Sequence, residues 1–168
     1  MKGRFHQDYP ASVDRLWRVF GTPDYPAQKY RAQGVTAFAI REFTRSDTQI
    51  LLALDRTYTL PAERIPALVK KFLPARQTLH YDSRWERLSP ALARFTLDIR
   101  PDDLPVTVRG EGELRDTGSA ASRLTIGFEV SVQAALVARP AEAMILALIE
   151  RSFRADHAFT LRYLADNA

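Results

Sequence analysis

Cysteine is absent from this chain of 168 residues, and its absence removes several kinds of chemistry at once. Without a thiol there is no disulfide, no cysteine nucleophile, no iron–sulfur cluster and no thiolate zinc site. The three histidines, His6, His80 and His157, form no metal-ligand spacing of the H-E-x-x-H type. We therefore expect the protein to hold no metal and no cofactor.

Long hydrophobic runs are missing as well. The apolar stretch at 143–149 is far too short to cross a bilayer. The opening residues MKGRFHQDYP lack the apolar core of a signal peptide. These patterns predict a soluble, cytoplasmic protein with no membrane span.

Charge of one sign is not concentrated anywhere along the chain. The formal net charge is +4, but 24 basic residues are interleaved with 20 acidic ones and form no basic block. Nucleic-acid-binding domains gather their basic residues on one face or along one helix. The dispersed pattern is typical of a solvated surface, so we expect no nucleic-acid partner. Whether the protein forms a homodimer stays open.

Alternation of apolar and polar residues predicts a series of antiparallel strands. The alternating segments are 5–9, 35–43, 49–60, 79–86, 94–100, 106–115 and 124–132. One polar face per strand indicates a sheet with one side in water and the other side covered. His80 falls on the outward phase of its strand, and we expect it to face solvent. Gly110 and Gly112 fall on an inward phase, where they allow sharp bending or close approach of another element.

Helical spacing occurs in four places. Ser12 can cap a first helix that Gly21 ends, and its apolar stripe consists of Val13, Leu16, Trp17 and Phe20. A second short helix is predicted over 26–33, and helix-like spacing recurs at 61–73. The last helix is predicted from about residue 140 to 164, and at about 1.5 Å per residue it would be about 36 Å long. That length is sufficient to cross a whole sheet.

A polar row interrupts the apolar side of the last helix. Ser152, Asp156 and Thr160 recur every fourth residue on that side. A carboxylate that faces a dry core is unfavourable unless it is paired or hydrated. One interpretation is that the row faces a cavity. The other is that Asp156 pairs with an inward arginine such as Arg56, or that the helix end lies in water, because buried polar groups usually have partners.

Several segments together resemble a known superfamily. They are the opening FHQDYPASVDRLWRVF, Leu60-Pro61-Ala62, Trp85, Gly110-x-Gly112-x-Leu114 and the ending SFRADHAFTLRYL. With the order of elements above, they resemble the START-like (SRPBCC, helix-grip) superfamily, and more specifically a bacterial subfamily of unknown function. The resemblance implies an α+β helix-grip fold over 1–168 as a single domain. In this fold a curved antiparallel sheet wraps around a long C-terminal helix, and two short helices lie near the N-terminus.

The resemblance also implies a deep cavity between sheet and helix that binds an apolar or amphipathic small molecule, without implying a reaction. Side chains on the inward phase are then the candidate ligand contacts: Arg56, Tyr58, Tyr81, Trp85, Leu97, Phe128, Ile149, Ser152, Phe153, Asp156 and Phe159. The aromatic members of this set would also suit a plain hydrophobic core.

Three functions remain open at this point. We favour a carrier or sensor of a small hydrophobic ligand. The second is an enzyme of the cyclase, dehydratase or hydrolase type, in which Asp156 and Arg56 would converge in the cavity. The third is a non-catalytic interaction protein with a filled core. No catalytic motif is present, neither a G-x-S-x-G elbow nor a glycine-rich phosphate loop, so the enzyme is the less favoured alternative to the carrier.

Overall fold

The computed structural model describes residues 1–35, 37–59, 76–102, 104–118, 120–134 and 136–167. The elements follow in the order β1 (Lys2–Tyr9), α1 (Val13–Phe20), α2 (Tyr25–Ala32), β2 (Phe38–Arg45), β3 (Gln49–Thr59), β4 (Arg76–Ser89), β5 (Leu92–Pro101), β6 (Val106–Gly118), β7 (Ala121–Val132) and α3 (Ala138–Asp166). The helix predicted at 61–73 lies outside the described residues.

All neighbouring strands of the sheet are antiparallel. Its seven strands are ordered β1-β7-β6-β5-β4-β3-β2. Strands β2 to β6 each pair with the next strand in sequence, and the last strand, β7, pairs with the first strand, β1. With two short helices before β2 and one long helix at the end, this is the predicted α+β helix-grip fold.

Helix α1 begins and ends where the sequence predicts. The Ser12 hydroxyl accepts a hydrogen bond from the Arg15 N–H at 3.3 Å, and the Gly21 N–H donates to the Trp17 carbonyl at 3.0 Å. Val13 and Leu16 are completely buried because the apolar stripe faces the core at one end of the sheet. This helix therefore closes that end of the molecule.

The two inward glycines of β6 are required by close packing. A Cβ on Gly112 would lie 2.4 Å from the Thr125 carbonyl oxygen, and one on Gly110 would lie 2.9 Å from the Phe128 ring. Neither distance can accommodate a carbon atom without movement of the neighbour. The predicted close approach at both glycines is confirmed.

Helix α3 lies across the sheet with one side towards β1 and β7. Its opposite side is exposed to solvent, as the helical period predicts, at Ala147, Arg151, Arg154, Ala158 and Arg162. Among the described helices, none is long and apolar enough to cross a membrane.

Candidate functional site

A cavity of about 400 Å³ lies between the inner face of the sheet and helices α2 and α3. This volume is within the range of small-molecule sites, roughly 300–1,000 Å³. The wall is mainly apolar and includes Leu52, Leu54, Leu97, Phe128, Ile149 and Phe153. These residues occupy the inward phase of their strands or the sheet-facing side of α3, so the same alternation that forms the sheet also forms the apolar wall.

Aromatic rings form the wall at the α1 end of the cavity. Trp85 of β4 and Phe95 of β5 are cross-strand neighbours, with ring centroids 4.6 Å apart. Phe20 at the end of α1 packs on the other side of Trp85 at 5.1 Å. Trp85 therefore belongs both to the cavity wall and to the core beneath α1. The sequence left open whether it contacts a ligand or packs in the core, and its position allows both.

Arg56 introduces a positive charge into the sheet side of the wall. Its side chain is 7% exposed, and its guanidinium carbon lies 5.7 Å from the ring centroid of Tyr30 and 5.6 Å from that of Tyr81. Both separations are within the range of a cation–π contact. The two rings thus hold the guanidinium at a defined position in the wall.

Asp156 is paired, but its partner is not the arginine that the sequence suggested. Lys29 Nζ donates to Asp156 Oδ2 at 2.9 Å, and Gln33 Nε2 donates to Asp156 Oδ1 at 2.6 Å. Lys29 and Gln33 lie one turn apart, on and just beyond the end of α2, so both side chains reach the same carboxylate. The interpretation that Asp156 has a partner holds, but Lys29 and Gln33 take the place suggested for Arg56 because α2 packs directly on α3.

The protonation state of Lys29 limits its chemistry. Burial of the ammonium is the largest single effect and by itself lowers the pKa of Lys29. The charge and hydrogen bond of Asp156, together with the nearby Tyr30 and Tyr25, outweigh burial, and the pKa lies above its ordinary value. Lys29 is therefore a fixed cation. An amine nucleophile needs the opposite change, a lowered pKa.

Thr160 completes the polar row by linking α2 to α3 a second time. The Thr160 hydroxyl donates to the Asp156 carbonyl at 2.8 Å and lies 2.7 Å from the Tyr25 hydroxyl. Since the single Thr160 proton is directed to the carbonyl, Tyr25 donates to Thr160. Burial raises the pKa of Tyr25 to about 12, so this phenol stays neutral and acts as a donor.

A third polar contact fastens β1 to the middle of α3. The Tyr9 hydroxyl donates to Gln7 Oε1 at 2.7 Å, and Gln7 Nε2 donates to the Phe153 carbonyl at 2.5 Å. Gln7 and Tyr9 are both buried. Because these groups satisfy one another, they form part of the frame of the cavity.

The structure brings most of the predicted site residues to one cavity. Those that line it are Arg56, Tyr81, Trp85, Leu97, Phe128, Ile149, Ser152, Phe153 and Asp156. Phe159 lies apart from this wall and packs between Tyr25 and Tyr163, at centroid distances of 5.5 and 5.9 Å. The Tyr58 side chain lies outside the described part of the chain.

Sequence reasoning missed the contribution of α2. Tyr25, Lys29, Tyr30 and Gln33 all line the cavity, yet none was a candidate. Lys29 and Gln33 are four residues apart, a spacing that places two polar groups on one helix side, but nothing local indicates which surface that side meets. In the described residues, no group of three or more histidine, aspartate or glutamate side chains is placed to hold a metal ion.

The long helix, the seven-stranded sheet and the cavity between them define a protein with the α+β helix-grip fold. Residues 4–164 match the family described as "Protein of unknown function (DUF2505)", and the chain belongs to that family. No curated protein matches the sequence.

Solved structures with the same fold belong to proteins with diverse names. The Zhui aromatase/cyclase from a Streptomyces species is 16% identical, with a TM-score of 0.58 over 97% of this chain and 92% of that one. A START superfamily protein from Mycobacterium smegmatis is 10% identical, with a TM-score of 0.55 over 97% and 98%. Norcoclaurine synthase from Thalictrum flavum is 15% identical, with a TM-score of 0.55 over 96% and 86%. At such identities the likeness shows the fold alone.

Proposed function

We propose that this protein binds a hydrophobic or amphipathic small molecule in its internal cavity, as a carrier or a sensor, and that 1–168 act as one domain. The observation that carries the proposal is the cavity of about 400 Å³ with a mainly apolar wall beneath α3. Protein interiors are normally packed to the density of organic crystals. A ligand that fills such a cavity removes its apolar wall from water, and this burial favours binding.

The wall favours an amphipathic ligand over a pure hydrocarbon. Its apolar area is interrupted by charged and polar side chains, among them Arg56 on the sheet and Lys29 with Asp156 between the helices. A few polar groups in an apolar pocket orient a ligand and give selectivity. We propose that the sequence-derived candidates that line the cavity are its ligand contacts.

Two tryptophan variants on one strand test cavity binding. Leu97 lines the cavity, and its cross-strand neighbours are Ser83 and Gly110, which are both small. Leu97→Trp therefore adds its bulk to the cavity wall. Thr96 is exposed on the opposite face of β5, so Thr96→Trp adds the same bulk to the surface.

The measurement is native mass spectrometry of the purified protein, together with titration by the fluorescent probe 1-anilinonaphthalene-8-sulfonate (ANS). We expect the native chain and Thr96→Trp to carry a non-covalent apolar mass or to bind ANS, and Leu97→Trp to lose both. Equal ANS binding by a folded Leu97→Trp protein would place the probe elsewhere and contradict the proposal.

An enzyme of the cyclase, dehydratase or hydrolase type is the second candidate. The observation that favours it is a carboxylate and an ammonium, Asp156 and Lys29, in the wall of the cavity. Such a pair could orient a carbonyl and accept a proton. The test incubates the co-purified molecule with the protein and follows its mass. A change of mass that is lost in Asp156→Asn but kept in Glu150→Gln, an exposed carboxylate of the same helix, would support an enzyme.

The outer face of the sheet supports the proposal that nucleic acid is not a partner. Several of its arginines lie beside acidic side chains, for example Arg109 with Asp98 and Arg123 with Asp8. Counterion release, which drives binding to nucleic acid, needs cations that are available to phosphates.

A further inference from the structure

Six charged side chains form a chain of alternating sign across the outer face of the sheet. In order they are Asp102, His80, Asp55, Arg41, Asp82 and Arg100. His80 Nε2 lies 2.6 Å from Asp102 Oδ1, and His80 Nδ1 lies 2.7 Å from Asp55 Oδ1. Arg41 then bridges Asp55 at 2.7 Å and Asp82 at 2.9 Å, and Arg100 contacts Asp82.

His80 is in contact with a carboxylate at each ring nitrogen. A carboxylate accepts hydrogen bonds, whereas a neutral imidazole has one N–H and one bare nitrogen. Both contacts of His80 therefore form only with the protonated ring. The hydrogen bonds to Asp102 and then to Asp55 raise the pKa of His80 above its ordinary value, which agrees with this geometry.

The charges balance only when His80 is protonated. In that state there are three positive charges, on Arg41, Arg100 and His80. They match three negative charges, on Asp55, Asp82 and Asp102. When the proton leaves, one of the two carboxylates faces a lone pair of the ring. Asp55 still has Arg41, but no other cation contacts Asp102 among the described residues. Deprotonation therefore releases Asp102.

Asp102 is the first residue after β5, next to part of the cavity wall. Pro101 on one side of it and Leu104 on the other both line the cavity. Two links tie this position to the sheet: the Asp102 N–H donates to the Thr78 carbonyl at 3.0 Å, and its carboxylate contacts His80. Among the contacts between described residues, loss of the second link leaves the hydrogen bond to Thr78 to hold Asp102 on the sheet.

We propose that His80 is a pH-dependent anchor for Asp102, and that it regulates ligand exchange from the cavity that Pro101 and Leu104 line. The claim that His80 regulates ligand exchange rests on the proposed function of the cavity. Three charged groups in the described part of the chain face the ring of His80: Asp55 of β3, Asp102 after β5, and Arg100 of β5, which is the cross-strand neighbour of His80. Arg41 and Asp82 act through these neighbours.

The direction of the effect follows from the sign of the charge. The imidazolium is the anchoring form, so the anchor is fully present below the ordinary pKa of histidine. It is lost as the pH rises through the higher pKa of the folded protein. Ligand exchange should be slow at mildly acidic pH and faster at alkaline pH.

Two measurements on the intact protein test the anchor. The ring of His80 is titrated by NMR, which is tractable because the chain has three histidines. Hydrogen-exchange protection, corrected for intrinsic rates, is measured at the Asp102 amide, which donates to the Thr78 carbonyl. Stopped-flow dissociation of ANS across the same pH range measures ligand exchange. We expect protection to fall, and the ANS dissociation rate to rise, by about two- to fivefold, as for the loss of one partly exposed ion pair.

Asp102→Ala should abolish this pH step and show fast exchange throughout. Asp98→Ala is the matched control, because both carboxylates have 52% exposed side chains and Asp98 contacts Arg109 instead of His80. The inference is overturned if His80 titrates at or below its ordinary pKa, or if Asp102→Ala keeps the step. It also fails if protection changes but ANS dissociation does not. Absence of ANS binding would count against the cavity function alone, and the protection factors then decide whether the anchor exists.

Discussion

Lys29 and Asp156 form an ion pair that joins the two helices above the cavity. Their charged atoms are 2.9 Å apart, and their side chains are 15% and 31% exposed. The pair is separated by 127 positions in the sequence. It is thus a long-range contact, and it sets how α2 packs on α3 over the cavity.

Removal of one partner of this pair should destabilise the fold more than removal of both. Lys29→Met leaves Asp156 partly buried without its cation, and we expect the free energy of unfolding to fall by about 1–3 kcal/mol, somewhat less than for a fully buried pair. The double variant Lys29→Met/Asp156→Leu should recover part of that loss. Urea denaturation of the single and double variants measures the coupling. Lys2→Met is the control, because Lys2 is 79% exposed. Strictly additive effects would contradict the prediction.

The hydrogen bond between Tyr25 and Thr160 should behave as a buried contact. Thr160 is 2% exposed, so Thr160→Val leaves the Tyr25 hydroxyl without its acceptor. We expect a loss of about 1–3 kcal/mol in the free energy of unfolding. Adding Tyr25→Phe removes the unsatisfied hydroxyl, so the double variant should be no less stable than Thr160→Val alone. Thr96→Val, on the exposed face of β5, should change stability little. Chemical denaturation of the native chain and the three variants measures these differences in the free energy of unfolding.

Gly112 should be intolerant of any side chain. A Cβ at this position meets a backbone oxygen at 2.4 Å, and a backbone atom of a paired strand cannot move without disrupting the sheet. We expect Gly112→Ala to lower the free energy of unfolding by about 3 kcal/mol or more. At Gly127, in the adjacent strand, the nearest atom would be 3.9 Å away. Gly127→Ala should therefore be well tolerated, and equal melting temperatures for the two variants would contradict the argument.

Glu142 should make stability sensitive to acid. Its carboxylate accepts a hydrogen bond from the Val132 N–H at 3.1 Å, and this bond is the main reason that the pKa of Glu142 lies below its ordinary value. A lowered carboxyl pKa contributes stability above the unfolded value of 4.5. That contribution is lost as the pH falls from there through the folded pKa.

Glu142→Gln should therefore be less stable than the native chain at neutral pH, and this difference should shrink as the pH falls below about 4.5. Unfolding free energies measured between neutral and acidic pH provide the check. Glu129→Gln, at a side chain that is 59% exposed, is the control and should show no such convergence. A constant difference for Glu142→Gln at all pH values would refute the assignment.

Local sequence patterns predicted much of the fold. Period-two alternation predicted the strands from β3 to β7 because successive side chains of a strand point to opposite faces. Ser12 and Gly21 predicted the two ends of α1 because capping involves only neighbouring residues. The polar row on α3 was also visible, since helical spacing alone places Asp156 and Thr160 on one side.

The site was only partly predictable, and the reasons differ between residues. Trp85 and Leu97 were assigned to the wall because they share the inward phase of their strands. Phe159 lies on the predicted side of α3, but Tyr25 covers it, and no rule of periodicity includes a second helix. Lys29 was missed because its importance depends on α3, which follows it by more than a hundred residues.

By itself, the sequence determined the approximate positions of the described strands and helices and the face that most of their side chains take, since those properties depend on neighbours within a turn or a strand. Only the tertiary structure decided which faces meet. It placed Lys29 against Asp156, and it placed His80 between Asp55 and Asp102, which lie 25 and 22 positions away. It also left about 400 Å³ beneath α3, because cavity volume depends on the fit of distant elements and is not encoded in any local pattern.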